Sequence, residues 1–437
     1  MSQRVFKSYR MAGADGTTHR NWLHRARGHF NTMVLLNSNG YTSDRYGSIP
    51  WVYGLGAREA FVGKQENVFP GLKKFTDSHQ DWLFGFFSYE LKNQLEKLSS
   101  KNPDHTGWPL CHFFRPQVLI MPEPEGIRIG TLPGHPVFSD PDRVFDMLRK
   151  AKPFPQCPNN PVNIQARVDK VRYLKQLKAI KEHIQAGDVY EMNYCIEFFA
   201  EDAGIDPVMA YDALNNVSKT PFSCFYTMDQ KYLMCASPER FMRKQGTRLI
   251  SQPIKGTSAR GASCKEDMRL RRELFDDPKE RSENVMIVDL VRNDLSRTAV
   301  KDSVRVEELF GIYPFKQVNQ MISTVTSKLH PDCHYLDAVE KAFPMGSMTG
   351  APKYRAMQLI DAFEDSCRGL YSGAVGYISP EKNFDFNVVI RSIVYNEKNR
   401  YLSYMAGSAI TIGSDPEREY EESLLKAGAM GRVLGKK

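Results

Sequence analysis

Residues 277–298 read DPKERSENVMIVDLVRNDLSRT, a stretch whose pattern predicts one long helix. Pro278 suits its first turn, where the missing N–H would have had no partner anyway. Downstream, GAPKYRAMQLIDAF (350–363) repeats the design, with a proline near the start of an amphipathic helix. Asp415-Pro416 opens a last helix, Asp capping free N–H groups and Pro filling the first turn. Upstream, VDKVRYLKQLKAIKEHIQAG (168–187) places Val168, Val171, Leu174, Leu177 and Ile180 at helical spacing, with Gly187 as a stop. Strand-like runs lie between the helices: YLMCAS (232–237), then GLYSGAVGYIS, FDFNVVIRSIVYN and RYLSYMAGSAITIG. WLFGFFSYEL (82–91) reads as a buried strand, too short to span a bilayer. Periodicity thus predicts a mixed α and β chain without internal repeats.

At 437 residues the chain can bury a sizeable core. Its 59 basic and 51 acidic residues leave +8, modest for this length and scattered, so a nucleic-acid surface is not indicated. The eight cysteines occur singly, without CxxC pairs or metal-ligand spacing, as expected of reduced thiols. The N-terminus has no apolar leader and no run is long enough to cross a membrane, which predicts a cytoplasmic location. PFPQCPNNPVN (153–163) reads as a linker or long loop, placing a boundary between residues 1–155 and 156–437. Whether it divides two domains or two parts of one body stays open.

Several residues invite chemistry. Glu419 and Glu422 stand three apart on the last predicted helix, so their carboxylates share a face. With Glu283 they offer hard oxygen ligands suited to Mg2+, or else an exposed acidic patch beside Arg418 and Lys426. Lys255, in Pro253-Ile254-Lys255-Gly256-Thr257, offers a nucleophilic amine.

Eight segments in order resemble the chorismate-utilising enzymes: GDVYEMNY (187–194), SPERF (237–241), PIKGTSARG (253–261), ERSENVMIVDLVRNDLSR (280–297), MGSMTGAPKYRAMQLI (345–360), SGAVGYIS (372–379), VIRSI (389–393) and EREYEESLLKA (417–427). The resemblance covers about residues 165–430 and is looser before them. It implies an α+β fold of the anthranilate synthase component I kind, two antiparallel sheets in a sandwich with helices outside. It also implies Mg2+ held by Glu283, Glu419 and Glu422, and binding of the enolpyruvyl carboxylate by Arg391, a two-pronged donor suited to it. Backbone N–H groups of Gly407, Ser408 and Ala409 would face a carboxylate, although relatives usually have glycine at Ala409. Ser347 and Thr349 would either donate to substrate or cap a helix.

Within the family, anthranilate synthases carry alanine where this chain has Lys255, whereas the component I enzymes that make aminodeoxychorismate commonly carry lysine. The resemblance therefore implies attack of Lys255 on C2 of chorismate, then displacement at C4 by ammonia, giving 4-amino-4-deoxychorismate for 4-aminobenzoate and folate. Glu239 would protonate the departing hydroxyl. An ordinary lysine has a pKa of ~10.4, and burial is expected to pull Lys255 down toward neutrality. Two further positions depart from the family: Gln320 stands where many relatives have histidine, and Glu191 where ammonia-using relatives have glutamine and the water-adding isochorismate synthases have lysine. No Gly-x-Cys-x-Gly nucleophile turn is seen, so a separate glutamine amidotransferase subunit is the expected ammonia source. The alternatives are anthranilate synthase component I and a non-catalytic chorismate-binding protein. LLNS (35–38) resembles a segment that holds regulatory tryptophan in anthranilate synthases; a plain strand end is the other reading.

Overall fold

The computed structural model describes residues 3–11, 13–47, 49–64, 67–151, 154 and 161–435, so the proposed linker lies largely outside the described residues. Twenty strands among the described residues join in one hydrogen-bonded ladder. Its spine is antiparallel throughout. It runs from Val318–Lys328 through Arg248–Gln252, Arg240–Gln245, Phe384–Asn387, Ala374–Ile378 and Leu83–Phe87 to the long strand Cys111–Glu123. From there it continues through Trp51–Gly63, Thr32–Asn37, Phe222–Met228, Lys231–Ser237, Ser392–Asn396 and Tyr401–Thr411 to Glu191–Ala200. The two expected sheets are therefore one ladder, folded back on itself through two long strands.

Alternation of side chains explains the layering, because successive residues of a strand face opposite sides. Met33, Leu35, Phe225, Met234, Ile393 and Tyr395 point into a core roofed by Gly16–Arg27, Lys170–Gln185, Pro207–Val217 and Pro416–Val433. Their neighbours Val34, Tyr226, Leu233 and Val394 point the other way, against Phe84, Phe86 and Val375 of the opposing layer. The far side of that layer, Leu83, Phe87 and Ala374, packs on Ile287, Val291 and Leu336 from the helices Pro278–Ser296 and Tyr335–Ala342. An aligned sandwich between two helical layers results. No helix among the described residues is long and apolar enough to cross a membrane.

Helix starts fall where caps predict them. Asp277 accepts from Glu280 N before Pro278, and Asp415 accepts from Arg418 N before Pro416. One helical face differs from expectation. Lys170–Gln185 buries Tyr173, Leu177, Ile180 and Ile184, while Val171 is 79% exposed. Gly187 does stop that helix, at φ +83.

Candidate active site

Lys255 owes its direction to a β-bulge. Ile254 pairs with Ile322 and Thr257 with Gln320, so the strand Ile254–Ala259 uses one residue more than its partner over that interval. Such a bulge re-aims a side chain. Gly256 adopts φ +97, which favours glycine, and a Cβ there would meet Glu280 and Met321 at 3.1 Å. The carbonyl of Lys255 accepts from Asn284 Nδ2 at 3.3 Å, and Asn284 Oδ1 accepts from Ser323 Oγ at 2.6 Å. The helix that carries Glu283 thus clamps the bulge.

Freed by the bulge, the amine meets Glu191. Lys255 Nζ donates to Glu191 Oε1 at 2.6 Å, with the two side chains 10% and 0% exposed. Burial alone would lower the lysine, but Glu191, Glu283 and Glu239 outweigh it and raise its pKa. This reverses the expected fall. The surrounding carboxylates hold the amine as an ammonium.

Glu239 sits in the turn between Lys231–Ser237 and Arg240–Gln245 and is 4% exposed. Burial pushes its carboxyl up to about 7, against Ser347, Ile254 and Lys255. Ser347 Oγ donates to Glu239 Oε1 at 2.6 Å. Asn193 in turn holds the segment Ser347–Thr349, its Nδ2 donating to Ser347 O at 2.7 Å and its N to Thr349 O at 2.8 Å. Neither hydroxyl caps a helix. Thr349 Oγ1 turns back to Met345 O at 3.1 Å, and Lys353–Phe363 begins after Pro352.

Arg391 and Gln320 line one cavity with Pro238, Thr220 and Phe315. Arg391 precedes the strand Ser392–Asn396 instead of lying in it, at φ +50. No carboxylate pairs with its guanidinium among the described residues, and burial lowers its pKa against the pull of Tyr371. The Gln320 amide oxygen is buried without a hydrogen-bond partner among the described residues. A cation and an orphaned acceptor therefore share a wall.

Gly407, Ser408 and Ala409 lie on the strand Tyr401–Thr411, opposite Cys195, Tyr194 and Asn193. The carbonyl of Gly407 accepts from Lys426 at 3.2 Å and that of Ala409 from Ser414 at 3.4 Å, both away from the Glu191 strand. In such a ladder a residue's N–H points as its carbonyl does, so the amides of Gly407 and Ala409 face the open side and that of Ser408 does not. A Cβ on Gly407 would stand 2.2 Å from the Tyr194 carbonyl, which enforces glycine there.

The acidic trio is partly assembled. Glu283 Oε1 and Glu419 Oε1 lie 3.8 and 3.9 Å from the ammonium of Lys279, so the two helices bring their carboxylates to one cation. Glu283 Oε1 is buried with no hydrogen bond among the described residues, and burial pushes its carboxyl up to about 7. Glu422 turns to Lys426 at 2.7 Å; burial would raise its carboxyl, but Lys426 holds it below the usual range. Among the described residues no three acidic, His or Cys groups stand together as a ready metal cluster. The donor set nonetheless suits a hard cation, and Lys279 marks where a positive charge is wanted.

Away from these groups, Asn37 ends the strand Thr32–Asn37 and walls a cavity of about 380 Å³ with Tyr41, Asp44, Arg240 and Asp385. No motif or spacing in the sequence singles out Lys279, Asn193 or Asn284, and Glu191 stands out there only as a departure from the family pattern.

A model of the chorismate binding enzymes matches residues 51–432. The aminodeoxychorismate synthase of Streptomyces griseus is 43% identical over 296 residues, covering 66% of this chain and 40% of that protein. The chain thus spans less than half the length of that relative. Anthranilate synthase component 1 of Thermus thermophilus is 33% identical over 385 residues, covering 86% of this chain and 83% of that one. The crystal structure of anthranilate synthase component I from Streptococcus pneumoniae superposes with a TM-score of 0.76 at 24% identity, over 90% of this chain and 95% of that chain. That likeness bears on the fold alone.

Proposed function

Because this chain belongs to the chorismate-binding enzymes, we propose that it aminates chorismate at C4 to give 4-amino-4-deoxychorismate, through a covalent bond to Lys255. A buried amine re-aimed by a bulge into a nest of carboxylates is the observation that carries the proposal. The amine attacks C2 as the C4 hydroxyl leaves, and Glu239, near neutrality in its pKa, gives that hydroxyl its proton. Ammonia then attacks C4 and expels the lysine, and Glu239 recovers a proton from the new amine. Two displacements retain the geometry at C4.

Arg391, unpaired by any acid among the described residues, binds one substrate carboxylate, and the outward amides of Gly407 and Ala409 are available to another. Mg2+ held by Glu283, Glu419 and Glu422 would supply positive charge for a substrate carboxylate. Ammonia comes from a glutamine amidotransferase subunit.

Lys255→Ala tests the proposal. With chorismate, a Mg2+ salt and excess ammonium, the wild type is expected to form aminodeoxychorismate, read as 4-aminobenzoate after a coupling lyase. The variant is expected to lose that product and to gain fluorescent anthranilate. Aminodeoxychorismate from the variant at the wild-type rate sinks the covalent route. Anthranilate from the wild type favours the second reading, anthranilate synthase component I, which the length of the Thermus thermophilus match supports and Lys255 opposes. No chorismate turnover at all leaves a non-catalytic binding protein.

A further inference from the structure

We infer that Glu191 is the proton acceptor of Lys255: it takes a proton from the ammonium before attack on the substrate and returns it when the lysine is expelled. The inference rests on the covalent route above and goes beyond it, since that route leaves unsaid how a lysine held as an ammonium becomes a nucleophile.

Geometry singles out this carboxylate. Glu191 Oε1 is 2.6 Å from Nζ, whereas Glu239 is engaged by Ser347 and Glu283 makes no ion pair with Lys255 among the described residues. Glu191 is fully buried at the start of its strand, between Ala351 and Thr411 of the neighbouring strands. Its other oxygen, Oε2, is buried with no partner, so the bond from Lys255 is its one hydrogen bond among the described residues. A buried carboxylate is usually sustained by several donors, and a buried ion pair needs such bonds to offset its lost hydration. Among the described residues this carboxylate has only its 2.6 Å contact with Lys255, so taking the proton along that contact breaks no other hydrogen bond of Glu191.

The proton count closes. Lys255 as ammonium and Glu191 as carboxylate become amine and carboxylic acid by transfer along the 2.6 Å contact. The amine bonds to C2, and the C4–O bond breaks with a proton from Glu239, releasing water. The lysyl nitrogen is now a secondary ammonium. Ammonia bonds to C4, the C2–N bond breaks and its electrons return to the lysyl nitrogen, and Glu239 removes a proton from the new C4 ammonium. Glu191 then gives its proton back to Lys255. No outside oxidant, reductant or base is consumed.

One consequence is measurable. The ion pair and its neutral form hold the same number of protons, so the wild-type rate need not rise with pH as the lysine is activated. Glu191→Gln keeps the shape and an acceptor oxygen but cannot take the proton, which must then leave to solvent. The groups around Lys255 that also bear on its charge are Glu283 and Glu280 of the helix Pro278–Ser296, Glu239 of the turn, and Glu422 of the last helix; all four remain in the variant. Aminodeoxychorismate formation per free ammonia is followed between pH 5.5 and 7 with the purified chain and a Mg2+ salt. Glu239 and Glu283, both pushed up to about 7, bear on the wild type and the variant alike, so the readout is the ratio of the two rates. Glu191→Gln is expected to lose at least about tenfold in kcat at pH 7, with chorismate KM within about twofold, and its ratio to the wild type to climb about tenfold per pH unit.

A Gln variant with the wild-type rate and a pH-independent ratio to the wild type overturns the inference. If Glu191→Gln does not fold, Glu191→Asp draws the carboxylate back by one methylene. A wild-type kcat in that variant overturns the inference, and a kcat down at least about tenfold at a pH-independent ratio to the wild type supports it. Lys255→Ala run alongside separates the two failures. Product from Lys255→Ala removes the covalent route itself, whereas its absence with an unchanged Glu191→Gln removes only the role of Glu191.

Discussion

Glu239→Gln should stabilise the fold at alkaline pH while stopping the chemistry. The carboxyl is 4% exposed, and burial lifts its pKa from 4.5 to about 7 despite Ser347, Ile254 and Lys255. A raised folded pKa means that the folded chain holds the proton more tightly than the unfolded chain. Below about 4.5 both states are protonated; between 4.5 and about 7 the unfolded chain deprotonates first and stability falls; above about 7 the loss is complete. The gap from 4.5 to about 7, at about 1.36 kcal/mol per pH unit, is worth roughly 3 kcal/mol. Glutamine has no proton to lose and still accepts from the Ser347 hydroxyl. The variant should therefore exceed the wild type by under about 1 kcal/mol at pH 5 and by roughly 3 kcal/mol at pH 9, read from urea unfolding. Turnover should fall by about 10²–10⁴, the usual worth of a positioned acid. A variant destabilised equally at both pH values, or one turning over within tenfold of the wild type, would refute the assignment.

Three further outcomes follow from the site. Arg391 sits at φ +50, where glycine is at ease, so Arg391→Gly should keep the urea midpoint while raising chorismate KM by about 10–150-fold, the equivalent of about 1.5–3 kcal/mol for a charged hydrogen bond. Glu283→Gln should weaken binding of Mg2+ alone, measured by calorimetry, by at least about tenfold, because the amide removes one of the two charges that meet at Lys279. Gly407→Ala should cost about 3 kcal/mol or more in urea unfolding, since its methyl would stand 2.2 Å from a backbone carbonyl that cannot move without its strand.

What was legible in the chain was local. Asp277-Pro278 and Asp415-Pro416 mark helix starts because capping is settled within four residues. Leu83–Phe87 reads as buried because five apolar residues in a row leave no polar face. Periodicity misplaces Val171 because it finds an apolar stripe without saying which of two overlapping stripes meets a neighbour; Tyr173 and Ile184 are buried by contacts made far along the chain. The same limit governs the site. The three glutamates could be named from motif resemblance, but that Lys279 stands between Glu283 and Glu419 depends on how two helices approach, which no spacing records.

Lys255 and Glu191 carry this furthest, being 64 residues apart and joined by a single contact. Had the strand Ile254–Ala259 kept register with its partner, period-two alternation would have fixed the facing of Lys255 from that of Ile254 and Thr257. One extra residue, permitted by Gly256 at φ +97, breaks that alternation and turns the amine toward the start of the Glu191 strand. The bulge decides which carboxylate the lysine meets, and thereby where its proton can go. A sequence shows the lysine and the glycine beside it; the direction they impose emerges only when the opposing strand supplies one residue fewer.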